Sequence, residues 1–246
     1  MSALISVVIT EENIGENEIA ITDKRDIHHL RDVFRIVPGD KIRAVDGEKE
    51  YYTAVSAVAP EKILLTVEKT GPDVYAQGIR VHMALGVLKH DKMGFAVQKL
   101  AELGVEAVIP LLTRRVVVRL EGEDARTKKI SKWQKIADET LKQCRGVRRV
   151  RITALETPEA LDYEAYDLIL VPYESEEDLS LKEALANFPG TPGSILVVIG
   201  PEGGFDPGEI ALFKEKGARI VTLGKRILRA ETAAVVTGGI LFHVYS

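Results

Sequence analysis

From residue 79 onward the chain keeps one rhythm, a short apolar run followed by a stretch of helical periodicity. Ile79, Val81, Met83 and Leu85 alternate as a strand; Met93, Ala96, Val97, Leu100 and Ala101 fall at helical spacing, and Gly104 supplies the stop. Residues 105–112 read as the next strand, and Ile130, Trp133, Ala137, Leu141 and Cys144 mark the buried stripe of a long helix. Further strands are expected at 167–171, 194–199 and 218–223, with an acidic helix over 176–188 and a last helix after Arg229. Asp206, Pro207 and Glu209 fit a capping box that opens another helix, and Gly217 ends it. Such alternation implies an α/β fold with a largely parallel sheet covered on both faces. The first part of the chain differs. Short strands at 41–45, 51–58 and 62–67, with turn signals at Pro38-Gly39-Asp40 and Asp46-Gly47, predict a small β-barrel holding one helical segment, 27–34. The break at 70–73, Thr-Gly-Pro-Asp, reads as a linker between a unit at 1–70 and one at 74–246.

Composition narrows the compartment and the partners. With 246 residues the chain is long enough for a substantial core, and no apolar run approaches the roughly 18–20 residues of a membrane span. The apolar start at 3–9 lacks a basic flank and reads as a first strand, not a secretory signal. Cys144 is the sole cysteine, which excludes an internal disulfide and a cysteine-based metal site and fits a reducing cytoplasm; it reads as a small core residue. The adjacent His28 and His29 have no third ligand nearby, so no metal is expected. Net charge is −4, but it is unevenly spread. Over 126–151 ten Lys and Arg face only Asp138 and Glu139, a local charge of +8, whereas 155–189 carries −9. The basic segment could steer a polyanion to one face or could be an ordinary solvated helix surface.

Two strand-to-helix turns look able to hold a ligand. Residues 195–209, ILVVIGPEGGFDPGE, and 223–234, LGKRILRAETAA, each place glycine where an apolar run gives way to a helix, so unpaired backbone N–H groups meet open space. Neither is a Walker loop or the G-x-G-x-x-G of a dinucleotide site. Glu202 beside the glycines would repel a pyrophosphate but could attract a cation or accept hydrogen bonds from a nucleoside. S-adenosylmethionine suits such a turn better than a dinucleotide; a purely structural turn with Glu202 capping backbone N–H groups fits as well.

IGPEGGFDPGE and LGKRILRAETAA closely resemble the two C-terminal motifs of the ribosomal RNA small subunit methyltransferase E family, within the SPOUT superfamily. KMGFAVQKLAELG at 92–104 with Lys89, IPLLTRRVVV at 109–118 and KWQKIA at 132–137 resemble the same family, and HHLRDVFRIVPGD at 28–40 resembles its PUA-like barrel. LKQCRG at 141–146 departs from the family's usual run ending in Gly-Arg. The resemblance implies a PUA-like β-barrel, a SPOUT α/β domain with a deep trefoil knot, and a homodimer whose active site is completed across the subunit boundary. It implies S-adenosylmethionine-dependent methylation of N3 of a uridine in 16S rRNA of the small ribosomal subunit, in the cytoplasm and without a metal.

By the same resemblance the cofactor should lie on three loops: Leu170, Val171, Pro172, Tyr173 and Glu174; Ile199, Gly200, Pro201, Gly203 and Gly204; and Leu223, Gly224, Ile227, Leu228 and Arg229. Attack by uridine N3 on a sulfonium methyl requires a proton to leave and the uridinate charge to be held. Arg229 could supply the positive charge, unless it is paired with Glu231 or Glu202, and either of those carboxylates could take the proton. His28, Arg31, Arg35, Lys89, Arg114, Lys132 and Arg145 are the expected RNA-binding residues. The competing readings are a non-catalytic RNA-binding protein, which leaves both ligand turns without a purpose, and a Rossmann-type nucleotide-cofactor enzyme, which lacks its early glycine fingerprint.

Overall fold

In the computed structural model, which describes residues 5–73, 78–118, 120, 122–144 and 146–245, the chain divides into two units. The first is 1–76 with 138–149 and the second 77–137 with 150–246.

In the first unit the strands are β1 (Ile5–Val8), β2 (Glu18–Ile21), β3 (Lys41–Val45), β4 (Lys49–Val58) and β5 (Ile63–Pro72). They form one sheet in the order β1-β3-β4-β5-β2, antiparallel except for β1 beside β3. β1 and β2 are the two edges and do not pair with each other, so the expected barrel is an open mixed sheet. Period-2 alternation puts Ile19, Ile42, Val55, Ile63 and Leu65 on the inner face, against Ile27 and Leu30. Those two come from α1 (Lys24–His28) and the π-helical turn that continues it, His29–Val33. The helix starts ahead of the expected 27–34 because the Asp23 carboxylate accepts from the N–H groups of Arg25 and Asp26. The expected linker at 70–73 is mostly strand: Thr70, Gly71 and Pro72 extend β5 opposite Tyr51, Glu50 and Lys49. Proline is tolerated there because it stands at the very end of the strand. Residues 138–149 group with this unit through Leu141 and Val147, buried beside Val45. Lys142 adds a 2.7 Å bond to Asp26.

The second unit is a wholly parallel sheet with the order β11-β9-β10-β6-β7-β8. Its strands are β6 (Arg80–Gly86), β7 (Ala107–Leu111), β8 (Arg151–Ile152), β9 (Leu168–Pro172), β10 (Ser194–Ile199) and β11 (Arg219–Val221). Every residue of β10 is buried, which the unbroken apolar run predicts. Ile195, Val197 and Ile199 pack on one face with α2 (Lys92–Leu103) and α6 (Ala230–Tyr245), while Leu196 and Val198 pack on the other with α5 (Pro207–Glu215). α3 (Glu123–Leu141) lies across the division between the units, with its residues up to Ala137 in the second. Gln134 on α3 ties down the short β8, donating to Val150 O and accepting from Ile152 N–H, both at 2.9 Å.

The acidic helix expected over 176–188 shrinks to α4 (Leu181–Ala186). Ser180 caps it in a box with Glu183, and the Glu176 carboxylate is engaged ahead of it by the N–H groups of Asp178 and Leu179. Helix α2 ends as expected, closed by Gly104 with φ +86°, and the Asp206–Glu209 box opens α5 as expected. No helix among the described residues is long and apolar enough to cross a membrane.

One buried charge pair anchors the first unit. The Arg43 guanidinium donates to Glu50 Oε2 at 2.9 Å, to Ser6 Oγ at 3.3 Å and to Gly146 O at 3.2 Å, and Tyr52 Oη donates to Glu50 Oε1. Removing Glu50 takes from the buried Arg43 guanidinium the carboxylate that balances its charge. Glu50→Ala is therefore expected to lower the unfolding free energy by about 3 kcal/mol, read from urea titrations by circular dichroism; an unchanged midpoint would contradict it.

Candidate functional site

The C-terminal ends of β9, β10 and β11 lie side by side, and the loops that leave them converge on a cleft of about 650 Å³. This is the position at which open parallel sheets bind ligands, next to strands whose connections diverge. The first loop contributes Pro172, Tyr173 and Glu174, the second the run 199–205, and the third the run 222–230; Lys92 of α2 and Ala233 of α6 complete the lining. The loops are tied together by backbone: Tyr173 N–H donates to Val221 O at 3.0 Å, and Leu181 N–H donates to Thr222 O at 3.0 Å.

The second loop folds tightly because its glycines permit it. Gly204 N–H donates to Pro201 O at 2.9 Å, and Gly204 holds φ +68°, where a Cβ would also collide with the Glu174 carboxylate. Gly86, the last residue of β6, lets the turn sit directly against the sheet, since a Cβ there would meet Pro201 N at 2.6 Å. Arg115 holds the turn from outside, its guanidinium donating to Gly203 O at 3.0 Å.

Glu202 is partly committed to protein partners. Its Oε1 accepts from Lys89 N–H at 3.1 Å and from Lys92 Nζ at 3.2 Å. Partial burial pushes its pKa up, but bonds from its own N–H, from Lys89 N–H and from Lys92 outweigh this and leave it below the ordinary glutamate value. A carboxylate so stabilised as an anion is a weak proton acceptor and a good fixed charge. Arg229 lines the cleft, is exposed, and forms no ion pair among the described residues, so the alternative of a pair with Glu231 or Glu202 does not hold. Glu231 stands in the first turn of α6, is 8% exposed and lies outside the cleft lining, with Oε2 buried and without a hydrogen-bond partner among the described residues. A buried carboxylate oxygen left unsatisfied is costly and uncommon.

Of the residues expected on the cofactor loops, Leu170 and Val171 are fully buried core residues on β9 and do not reach the cleft. The resemblance carried the first loop back into the strand. The others line the cleft. Lys92, Thr222, Lys225 and Arg226 also line it and were not expected to; Lys225 and Arg226 stand inside LGKRILRAETAA, whereas Lys92 comes from far away in sequence. Gly86 carried one faint signal, a glycine at the end of a strand pattern.

The residues expected to bind RNA fare unevenly. His28 Nδ1 lies 2.6 Å from Asp32, and Arg31 donates two bonds to the same carboxylate. The hydrogen bonds from Arg31, followed by that from His28, hold Asp32 at a pKa of about 2 against its partial desolvation. Arg35 is exposed, at φ +54°, and Lys132 is exposed on α3. Lys89 is half-buried, with its N–H on Glu202. Arg114 is turned to α5, its N–H on Glu209 and its guanidinium 2.9 Å from Asp206. Arg145 lies outside the described residues. Among the described residues no cluster of His, Cys, Asp and Glu could hold a metal ion.

Comparisons with known proteins agree with this geometry. Residues 76–241 match the RNA methyltransferase domain family, and residues 21–68 match the RNA methyltransferase PUA domain. The chain is 30% identical over 233 residues to ribosomal RNA small subunit methyltransferase E of Bacillus subtilis, covering 92% of this chain and 91% of that one. It is 29% identical to ribosomal RNA small subunit methyltransferase E 2 of Borreliella burgdorferi, with 93% of each covered. The crystal structure of a ribosomal RNA small subunit methyltransferase E from Neisseria gonorrhoeae bound to S-adenosyl methionine shares the fold, with a TM-score of 0.83, 23% identity, and 99% and 98% of the two chains covered.

Proposed function

The chain belongs to the ribosomal RNA small subunit methyltransferase E family, and on that premise we propose that it methylates N3 of a uridine in 16S rRNA with S-adenosylmethionine held in the three-loop cleft. The observation that carries this reading is the convergence of three strand-end loops on one cleft of about 650 Å³, a volume in the range of cofactor sites. The residues present fit the cofactor. Gly200, Gly203 and Gly204 line the cleft and let its turn fold tightly against Phe205, Arg115 and Glu174, and Glu174 and Glu202 give the lining negative charge, which suits a ligand carrying a sulfonium and an ammonium. When bound, S-adenosylmethionine supplies an electrophilic methyl group.

The chain's own residues then have separate tasks. Arg229, with no ion pair among the described residues, stabilises the negative charge that develops on the uracil ring as N3 loses its proton. Glu202, held as an anion by Lys89 and Lys92, serves charge placement in preference to proton transfer. Glu231, two residues on from Arg229 and with an Oε2 that has no hydrogen-bond partner among the described residues, is the carboxylate assigned to take the proton. The substrate side is served by the PUA-matching segment and by exposed cations such as Arg35 and Lys132.

A homodimer and a C-terminal trefoil knot belong to the same reading. In support of the dimer, α6 leaves Val236, Ile240 and Val244 exposed at spacings of four, an apolar stripe on its surface. In support of the knot, β10 enters between β6 and β9 while β11 passes to the far edge.

Small ribosomal subunits from cells lacking the endogenous activity, incubated with the chain and labelled S-adenosylmethionine, should yield 3-methyluridine on nucleoside analysis. Arg229→Ala and Glu231→Gln should each slow single-turnover methylation by about 10²-fold or more; unchanged rates would remove those assignments, and label in another nucleoside would remove the N3 reading. Sedimentation should give a dimer that Ile240→Asp converts to monomer, and force extension of the chain should stop short of its full contour length. A monomeric parent chain or full extension would overturn the respective claim.

A further inference from the structure

A second cleft, about 580 Å³, opens between the start of α2 and α3, and the methyl-transfer chemistry makes no use of it. Trp133 closes it from below, 4% exposed, while the ring of Phe95 stands 49% exposed at its rim. Gln98 also lines it, three residues on from Phe95 and so on the same helical face. Lys129 and Lys132 line it from α3, both exposed and neither in an ion pair among the described residues. His90 holds φ +53°, a left-handed conformation rare outside glycine that concentrates at functional positions. Asp91, the one acidic residue in the lining, does not cap α2 with its side chain.

The two clefts share the first turn of α2. His90 and Asp91 line this one, and the next residue, Lys92, lines the three-loop cleft. Asp91 and Lys92, adjacent in sequence, thus join the linings of the two clefts. An exposed aromatic ring, cations without counter-ions and side-chain amide and carboxylate groups within reach are what an unpaired nucleotide needs: a platform for its base, charge for its phosphates, and donors and acceptors for its edge. An acidic or purely apolar partner would leave half of these groups unused.

We propose that this cleft holds an unpaired nucleotide of the RNA substrate, adjacent to the one methylated, with its base stacked on Phe95 and its phosphates against Lys129 and Lys132. The identity of that RNA rests on the methyltransferase reading, but the existence of the site does not.

Trp133 is the only tryptophan in the chain and lines the cleft, so its emission reports occupancy directly. Titration of the whole chain with a short single-stranded uridine-rich RNA should change that emission saturably. Phe95→Ala should weaken binding roughly ten-fold, the order expected for losing one base–aromatic stack. The same variant should raise KM for small subunits by a similar factor, leaving S-adenosylmethionine affinity unaltered. Phe95→Tyr, which keeps a ring, should restore both, whereas Phe95→Leu, apolar without a π face, should not. Replacing Lys129 and Lys132 by alanine together should flatten the salt dependence of binding. Because Phe95 is half-exposed, circular dichroism of the alanine variant should match the parent. RNA binding by Phe95→Ala at parental affinity, or rescue by Phe95→Leu as good as by Phe95→Tyr, overturns the proposal. The titration needs neither cofactor nor turnover. Oligonucleotide binding that depends on Phe95 without any methyl transfer would therefore refute the proposed function and support the cleft, while methylation with unchanged KM in Phe95→Ala would do the reverse.

Discussion

Strand β10 has no face toward water, and the site follows from that. Its six residues are packed from both sides, so the chain can meet solvent only where the strand ends, and there it must turn at once. The turn is pressed against the end of β6, where Gly86 leaves room for Pro201, and against the neighbouring loop, where Gly204 leaves room for Glu174. Burial of the strand thus holds the backbone of 199–204 in place without help from a ligand. A site prepared in this way loses less conformational entropy on binding.

Electrostatics divides the cleft. Glu202 is drawn towards Lys89 and Lys92 on the α2 side, and Lys225, Arg226 and Arg229 crowd the third loop. A cationic methyl donor and an anionic acceptor ask for opposite fields a few ångströms apart, and the lining offers both. The lowered pKa of Glu202 and the orphaned oxygen of Glu231 separate two carboxylates that are alike in sequence.

How far the sequence reveals this depends on the range of the interaction. Strands β6, β7, β9, β10 and β11, the stop at Gly104 and the box at Asp206–Glu209 are written in local periodicity and capping chemistry, and the structure has them close to where the residues say, whereas the two-residue β8 carries no such signal. The second and third loops are legible for the same reason. The extent of β5 is not, because Thr70–Pro72 looks like a turn until β4 lies beside it. Nor does any local signal place residues 138–149 with the first unit, or turn Arg114 from a free cation into a partner of Asp206, ninety-two positions away. The open sheet of the first unit likewise depends on which edges meet, and short strands alone do not determine that.

In the proposed function the three-loop cleft is an S-adenosylmethionine site built on the Gly204 turn. Calorimetric titration of the isolated chain with S-adenosylmethionine, run beside NAD, tests it without RNA or turnover. Saturable binding of S-adenosylmethionine at one site per chain is expected, with no binding of NAD and loss of the signal in Gly204→Ala, where a Cβ meets Glu174 and φ must stay at +68°. Binding of NAD in place of S-adenosylmethionine, or S-adenosylmethionine binding indifferent to Gly204→Ala, would contradict it.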